Sequence, residues 1–268
     1  MSLLADPGLA VLLAHLALPG TARVDQRVPK KLLLEQGLPT AADKRAVQEG
    51  IEELYWLAAL KPGTVGVDSF KDETREYLEI AVLAMDFRAA PTGRGGKPAT
   101  VPVDRLVELL HRAVPYPVLL LLRQGEGWAL SIAPKRHSQG EAGKVVVEEV
   151  ETSGFINPMQ PSEAVAAFLR SLGLAGLPKA DLQDLYLGWG DRILGLRAMP
   201  LMGAFTVPVD RDQSRQLRGS LEACSRIERD LASFRARAAR ETQLSKRVDL
   251  NIAIRRLEDE LAALRVSP

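Results

Sequence analysis

The pattern of apolar and polar residues is clearest near the middle of the chain. An aliphatic run at residues 118–122 is followed by a polar, glycine-containing segment at 124–127, and then by Trp128, Leu130 and Ile132 at every second position. This succession predicts a β-hairpin with a short turn. Because the first strand is apolar on both faces, we expect it to be a central strand that is covered on each side.

Further helices and strands are predicted around this hairpin. Helices are predicted for residues 7–17, 41–60 and 101–113, and strands for residues 64–67, 77–85 and 145–150. The helix at 41–60 is predicted because Val47, Ile51 and Leu54 recur at the spacing of one helical face. The strand at 145–150 is expected to be the third strand of a meander that begins with the hairpin.

From Ser162 onwards the apolar spacing becomes helical. Helices are predicted for residues 162–172 and 181–196, the second with a break at 188–190, and a linker for residues 200–208. The last segment carries two heptad seams, which comprise Leu217, Cys224, Leu231 and Ala238, and then Leu250, Ile254, Leu257, Leu261 and Leu264. These seams predict either two helices that turn near 245–248 into an antiparallel hairpin or one long helix that dimerises.

Together these elements predict an α+β fold. Its antiparallel sheet of about five strands is covered by helices, and a helical C-terminal part ends in a coiled-coil hairpin. Short loops between strands favour antiparallel pairing, and the separation of helices from strands favours α+β over α/β. The predicted divisions are an α+β domain at 1–155, a helical connecting region at 156–208 and coiled-coil helices at 209–268.

The amino-acid composition indicates where in the cell the protein is found, but it says little about its function. The chain has 268 residues, of which 46% are hydrophobic, which is enough to bury a sizeable core. Its longest apolar runs are too short for a membrane span, and the first one lacks the preceding basic residues of a signal peptide. The single cysteine, Cys224, excludes an internal disulfide and lies on a heptad seam, so we interpret it as a buried thiol in a cytoplasmic protein.

Residues that carry metal or acyl-transfer chemistry do not cluster in the sequence. The three histidines lie in three different predicted elements, without a partner at metal-ligand spacing. The glycine-rich segment 93–97 resembles a phosphate-binding loop, but Pro91 replaces the first required glycine and Pro98 replaces the required hydroxyl residue. We interpret this segment as a surface loop and expect no cofactor and no metal.

One enzyme hypothesis is a divergent Mg²⁺-dependent nuclease of the restriction type. Such a core needs an acid at the start of one strand and a Glu-x-Lys motif on the next, so that carboxylates hold the metal. Asp68 and Glu79 stand in suitable places, but Ala81 occupies the position of the lysine. The alternative interpretation is that Glu79 pairs with a lysine or an arginine.

Two groups of basic residues are candidate nucleic-acid contacts. Residues 211–247 contain ten basic and five acidic residues, whereas the net charge of the whole chain is only +1, so the basic surplus is local. The candidate phosphate ligands are Arg27, Lys30, Lys31, Arg229, Arg235, Arg237, Arg240, Lys246 and Arg247. The alternative interpretation is a solvated helix face with ion pairs between neighbouring turns, such as Glu222 with Arg226.

Several short segments, spread along most of the chain, occur in an order and at a spacing that resemble a known pattern. They are RVPKK at 27–31, Asp43, Ile51, Tyr55, Trp56, LKP at 60–62, Glu79, Ile80, AVPYPV at 113–118, RETQL at 240–244 and KRVDLN at 246–251. In their order and spacing they resemble the bacterial family grouped as domain of unknown function 4391. The resemblance implies no assigned activity. It does imply a setting beside helicase and methyltransferase components of restriction-like or antiphage systems.

These observations lead to three functional hypotheses. The first is a non-enzymatic accessory protein of a bacterial DNA-targeting defence system, in which basic residues meet DNA. Its coiled coil would bind a protein partner, such as a helicase or methyltransferase subunit, through Leu250, Ile254, Leu257 and Leu261. The second is the nuclease that uses Asp68 and Glu79. The third is a purely structural homodimeric adaptor with no nucleic-acid role. No membrane partner is expected under any of them.

Overall fold

The computed structural model describes residues 2–35, 40–88, 103–138, 140 and 145–266. The fold is mixed α+β, as predicted, with 55% helix and 20% strand. The segment at 93–97, interpreted above as a surface loop, lies outside the described residues. The chain divides into two compact units, Met1–Ile193 and Leu194–Pro268.

Nine α-helices and ten strands are found among the described residues. The helices are α1 (Pro7–Leu16), α2 (Lys30–Glu35), α3 (Ala41–Gly50), α4 (Pro62–Val65), α5 (Val103–Ala113), α6 (Glu163–Ser171), α7 (Leu182–Met202), α8 (Arg211–Arg240) and α9 (Leu244–Val266). The strands are β1 (Arg23–Arg27), β2 (Ile51–Leu60), β3 (Phe70–Lys71), β4 (Glu76–Tyr77), β5 (Ile80–Phe87), β6 (Val118–Gln124), β7 (Gly127–Ile132), β8 (Lys135–His137), β9 (Val145–Val147) and β10 (Glu151–Thr152).

The main sheet of the first unit has six strands, in the order β1-β2-β5-β6-β7-β10. Its neighbouring strands are antiparallel except for β5 and β6, which run parallel because α5 lies in the connection between them. β9, predicted as the third strand of the meander, pairs instead with β8 in a separate ribbon, and β10 lies beside β7. The predicted antiparallel sheet of five strands is therefore corrected to a mixed sheet of six.

β6 is the central strand that the sequence predicts. Residues 118–122 are fully buried, with β5 on one side of the strand and β7 on the other. β6 and β7 form the predicted hairpin, in which Gln124 lies opposite Gly127. Gly125 in the turn has a φ of 62°, a left-handed conformation that favours glycine.

Helices cover both faces of this part of the sheet. On one face, Val47 of α3 and Leu106 and Leu110 of α5 pack in one buried cluster with Met85 and Leu122. An ion pair joins these two helices, because Arg105 donates to both carboxylate oxygens of Asp43, at 2.8 and 3.0 Å. On the other face, the Tyr186 hydroxyl of α7 donates to the carbonyl of Val118 at 2.9 Å.

The predicted helix over 41–60 is wrong in its second half. α3 ends at Gly50, and residues 51–60 form β2, whose pairing with β5 shifts register twice, between Ile51 and Glu53 and between Trp56 and Ala58. Each bulge adds a residue to the strand, so that the buried positions no longer alternate strictly. The resulting spacing of three and four residues imitates a helical face.

Three other predicted boundaries also change. Residues 62–65 form the helical turn α4 rather than a strand, and the predicted strand at 77–85 is divided between β4 and β5. α7 continues without a break through 188–190 and includes Pro200, so the predicted linker begins only after Met202.

A partly buried group of charges closes one end of the sheet. Asp6 caps α1 by accepting hydrogen bonds from the backbone N–H groups of Gly8 and Leu9, and it also accepts the indole N–H of Trp128 at 3.2 Å. Arg123 on β6 lies 3.0 Å from Asp6 and 3.1 Å from Asp86 on β5. A Cβ on Gly8 would lie 2.5 Å from the indole nitrogen, so only glycine permits this approach of α1 to the sheet.

A second buried polar group lies between α5 and the hairpin. His111 is fully buried beside Ser131, with 3.1 Å between Nε2 and Oγ, and desolvation lowers its pKa to about 3. Lys135 is also buried, and its ammonium donates to the carbonyls of Val114 and Tyr116. Desolvation lowers the pKa of Lys135 to about 7.

We predict that Arg123→Met lowers the free energy of unfolding by about 3 kcal/mol, because it leaves Asp6 and Asp86 without their shared cation in a poorly solvated site. Urea unfolding followed by tryptophan fluorescence measures the change. The matched control is Arg112→Met on α5, whose exposed ion pair with Glu108 is expected to contribute less than about 1 kcal/mol. Equal effects of the two substitutions would contradict the structural role of Arg123.

We also predict that Lys135 makes stability depend on pH. Its pKa is lower in the folded protein than in the unfolded chain, so the unfolded chain binds more protons between pH 7 and 10.5. The contribution of Lys135 to the free energy of unfolding therefore rises as pH increases through this window. In urea titrations across the window, the free energy of unfolding of the wild type should rise with pH relative to that of Lys135→Met. A difference that is constant with pH would show that Lys135 keeps an ordinary pKa.

Candidate nucleic-acid interface

The second unit positions most of the predicted basic residues on α8. Asp210 lies immediately before the helix, and its side chain accepts the backbone N–H of Gln213 at 2.8 Å and so caps the first turn. Leu217, Cys224 and Leu231 of the predicted seam are buried along one side of the helix. Cys224 is therefore a buried thiol, as predicted, and burial raises its pKa. The basic residues of α8 are left on the solvent side.

α8 and α9 lie antiparallel and pack against each other. Arg235 lies 2.6 Å from Glu258, and Arg265 lies 3.5 Å from Glu228, so earlier residues of α8 meet later residues of α9. The helices are joined by residues 241–243, a few residues before the predicted turn at 245–248.

The residues predicted to bind a partner lie mainly inside this helix pair. Ile254, Leu257 and Leu261 pack in one cluster with Cys224, Ile227 and Leu231. Leu250 is half-buried and lies near the connection between the helices. In this arrangement these side chains hold α9 on α8.

An open cleft of about 420 Å³ lies beside the connection between α8 and α9. It is lined by Arg237, Arg240, Glu241, Lys246, Asp249 and Leu250. Three predicted phosphate ligands from two helices, Arg237, Arg240 and Lys246, are thus brought together. The guanidinium of Arg237 lies 5.3 Å from the centre of the Phe234 ring, and this cation–π contact orients it.

The other predicted basic residues of this unit differ in their contacts. Arg235 is engaged by Glu258, and the Nε of Arg229 donates to the carbonyl of Ser225 at 3.2 Å. Arg247 is exposed at the start of α9. Within the described part of the chain, Arg240, Lys246 and Arg247 have no acidic side chain within ion-pair distance. Their charges are therefore available to an external anion.

The N-terminal basic group lies in the first unit and is largely engaged there. Arg27 lies 3.6 Å from Glu53, and Lys31 lies 3.5 Å from Glu35. The ammonium of Lys30 donates to the carbonyl of Ile51, which joins α2 to the start of β2. Burial and then the neighbouring charge of Arg88 lower the pKa of Lys30.

Arg88 was not among the candidates, although it lies close to this group. It follows β5 and is paired with Glu52 at 2.5 Å. Because Arg88 and Lys30 are far apart in the sequence, only the pairing of β2 with β5 brings them together. No local sequence pattern could have revealed this neighbourhood.

Asp68 and Glu79, the two residues of the nuclease hypothesis, contact different residues. Glu79 lies 3.0 Å from Lys61, which agrees with the alternative interpretation that it pairs with a lysine. Asp68 is exposed, and its backbone carbonyl accepts the N–H of Leu182 at 2.8 Å. In the ranges that the structure describes, no three His, Cys, Asp or Glu side chains are grouped so that they could hold a metal ion.

No curated protein and no solved structure matched the chain. Among the helices described, none is both long and apolar enough to cross a membrane. The model of one family, described as Domain of unknown function (DUF4391), matches residues 16–261. This match covers most of both compact units, and the chain therefore belongs to the DUF4391 family.

Proposed function

We propose that this protein is a non-enzymatic accessory protein of a bacterial DNA-targeting defence system. It binds DNA phosphates through the basic end of the α8–α9 pair and binds a protein partner through the same helices. The defence setting and the choice of helicase or methyltransferase subunits as partners come from the family resemblance. The DNA contact is supported by the side chains around the cleft.

The observation that carries the DNA contact is the meeting of Arg237, Arg240 and Lys246 at one cleft. Like charges repel, so three cations near each other raise the local positive potential and favour an anion between them. Two acids, Glu241 and Asp249, line the same cleft but leave it with a net positive charge. A phosphate of the DNA backbone matches this charge and the hydrogen-bond donors of the arginines.

The nature of these contacts also predicts how DNA is recognised. The candidate ligands are arginine and lysine side chains, and phosphate contacts position a protein on DNA without reading its sequence. The aromatic Phe234 is engaged by Arg237, so the cleft does not provide a free stacking platform for bases. We therefore propose binding to duplex DNA with little sequence preference and a strong dependence on salt.

We further propose that α8 and α9 form a coiled-coil hairpin. The seven-residue spacing of Leu217, Cys224 and Leu231 and their burial support this arrangement. The ion pair of Arg235 with Glu258 at the border of the seam resembles the charge pairs that flank coiled-coil cores. Leu250, Ile254, Leu257 and Leu261 would then support the partner surface by holding the two helices together.

Binding of labelled duplex DNA by fluorescence anisotropy tests the proposal. We predict that a triple variant, Arg237→Glu, Arg240→Glu and Lys246→Glu, binds at least about tenfold more weakly than the wild type. The slope of log affinity against log salt should become shallower by roughly 2 to 3, because each phosphate contact contributes about 0.9. Titrations between about 50 and 200 mM salt give both quantities.

The matched control changes the net charge equally in the first unit, through Arg45→Glu, Lys71→Glu and Arg112→Glu, all exposed residues in ion pairs. This variant should keep the wild-type slope. If both triple variants lost equal DNA affinity, the loss would be due to overall charge and not to the cleft. If the wild type did not bind DNA at low salt, the DNA contact would be excluded. Cleavage of the duplex in Mg²⁺ would contradict the non-enzymatic role, and Glu79→Gln would then test the nuclease alternative.

A further inference from the structure

The outer side of α9 carries an apolar stripe near its start. Leu244, Val248 and Ile252 are 66%, 48% and 64% exposed, and their spacing of four residues places them on one face. Leu257 of the buried seam follows Val248 by nine residues, which is about two and a half helical turns, so it lies on the opposite side of α9. The contact with α8 therefore leaves this outer stripe uncovered.

The stripe is local and is not a general property of the helix pair. On the same face of α9, the following positions are Arg255 and Asp259, which are exposed and charged. The outer side of α8 is also charged, with Arg226, Arg229 and Arg237 exposed. Large aliphatic side chains that lie side by side in solvent mark an interaction surface more often than scattered ones do.

The charges beside the stripe indicate what covers it. Successive residues of a helix are rotated by about 100°, so Arg247 lies on one side of Val248 and Asp249 lies at nearly the same height on the other. Each border of the stripe therefore carries one charge, and the two charges are opposite. Arg247 has no acidic side chain within ion-pair distance among the residues described, and both side chains are exposed.

We propose that the stripe is a self-association surface, and that its occupant is the α9 stripe of a second copy of this chain in parallel orientation. In a parallel twofold pair, the border of the stripe that carries Arg247 in one copy meets the border that carries Asp249 in the other. Arg247 of each copy then faces Asp249 of the other copy, so two opposite-charge contacts form. An antiparallel pair would place Arg247 against Arg247 and Asp249 against Asp249.

The stripe also determines the strength of the association. Three large aliphatic side chains from each copy bury less area than the roughly 1,200 to 2,000 Å² of a standard stable interface. The dimer is therefore weak and depends on concentration. This self-association does not rest on the proposed DNA contact, and it is measured without DNA, so its failure leaves that contact untouched.

Sedimentation velocity of the full chain over a concentration series tests the surface. The wild type should shift from monomer to dimer as concentration rises, and Val248→Ser with Ile252→Ser should weaken association at least about tenfold by removing aliphatic contact area. The matched control is Leu32→Ser on α2, which also removes an exposed leucine and should leave the dimer unchanged. A wild type that stays monomeric, or a dimer unaffected by the double variant, would overturn the proposal.

Charge reversal tests the parallel orientation independently of the apolar contacts. Arg247→Glu and Asp249→Arg should each weaken the dimer, because each variant places like charges together at both borders. The double variant Arg247→Glu, Asp249→Arg should restore wild-type affinity. If the dimer depends on Val248 and Ile252 but neither single reversal weakens it, Arg247 and Asp249 do not meet across the interface and the proposed parallel pairing is wrong. Circular dichroism of every variant checks that α9 remains folded.

Discussion

The burial of β6 is the constraint on which the first unit depends. Residues 118–122 are fully excluded from solvent, so both faces of the strand need an apolar cover and both edges need a hydrogen-bonding neighbour. The hairpin provides β7 at one edge, and β5 provides the other through a parallel pairing. α3 and α5 cover one face, and α7 reaches the other face through Tyr186. β6 thus joins elements that come before it in the chain, such as β5, to elements that come after it, such as β7 and α7.

Charged groups within this apolar framework are retained only with specific partners. Arg123 stands between two carboxylates from different parts of the chain, and the same Asp6 also caps α1 and binds the indole of Trp128. Lys135 is buried against two backbone carbonyls, and its pKa is lowered because its charged form is poorly solvated there. These groups specify how α1 and α5 sit on the sheet. They are part of the framework of the first unit.

In the second unit, α8 and α9 carry a buried seam, a basic cleft and an exposed aliphatic stripe. The seam with Cys224, Ile227 and Leu261 holds α8 and α9 together. Their joined end collects cations from both helices around a cleft, which we propose for phosphate. The outer side of α9 carries an aliphatic stripe, which we propose for a second copy. Each copy carries one basic cleft, so a dimer would carry two. Two linked contacts bind more tightly than one when both can be reached.

The sequence by itself determined the elements that rest on local patterns. The hairpin follows from an aliphatic run, a glycine turn and alternation, and the seam of α8 follows from heptad spacing. Both patterns record neighbours that are close in the chain. The basic surplus of residues 211–247 could likewise be counted directly, although its arrangement around a cleft could not.

Only the tertiary structure decided the rest, because it depends on residues that are distant in the sequence. β2 looked helical because its bulges, which form against β5, changed the spacing of its buried residues. The meeting of Arg123 with Asp6, and of Lys30 with Arg88, requires strand pairing that no local pattern records. On α9, the sequence contains two apolar stripes, and packing against α8 decided which one is buried and which one faces solvent. Local periodicity can identify a face, but only the packed neighbours determine what that face contacts.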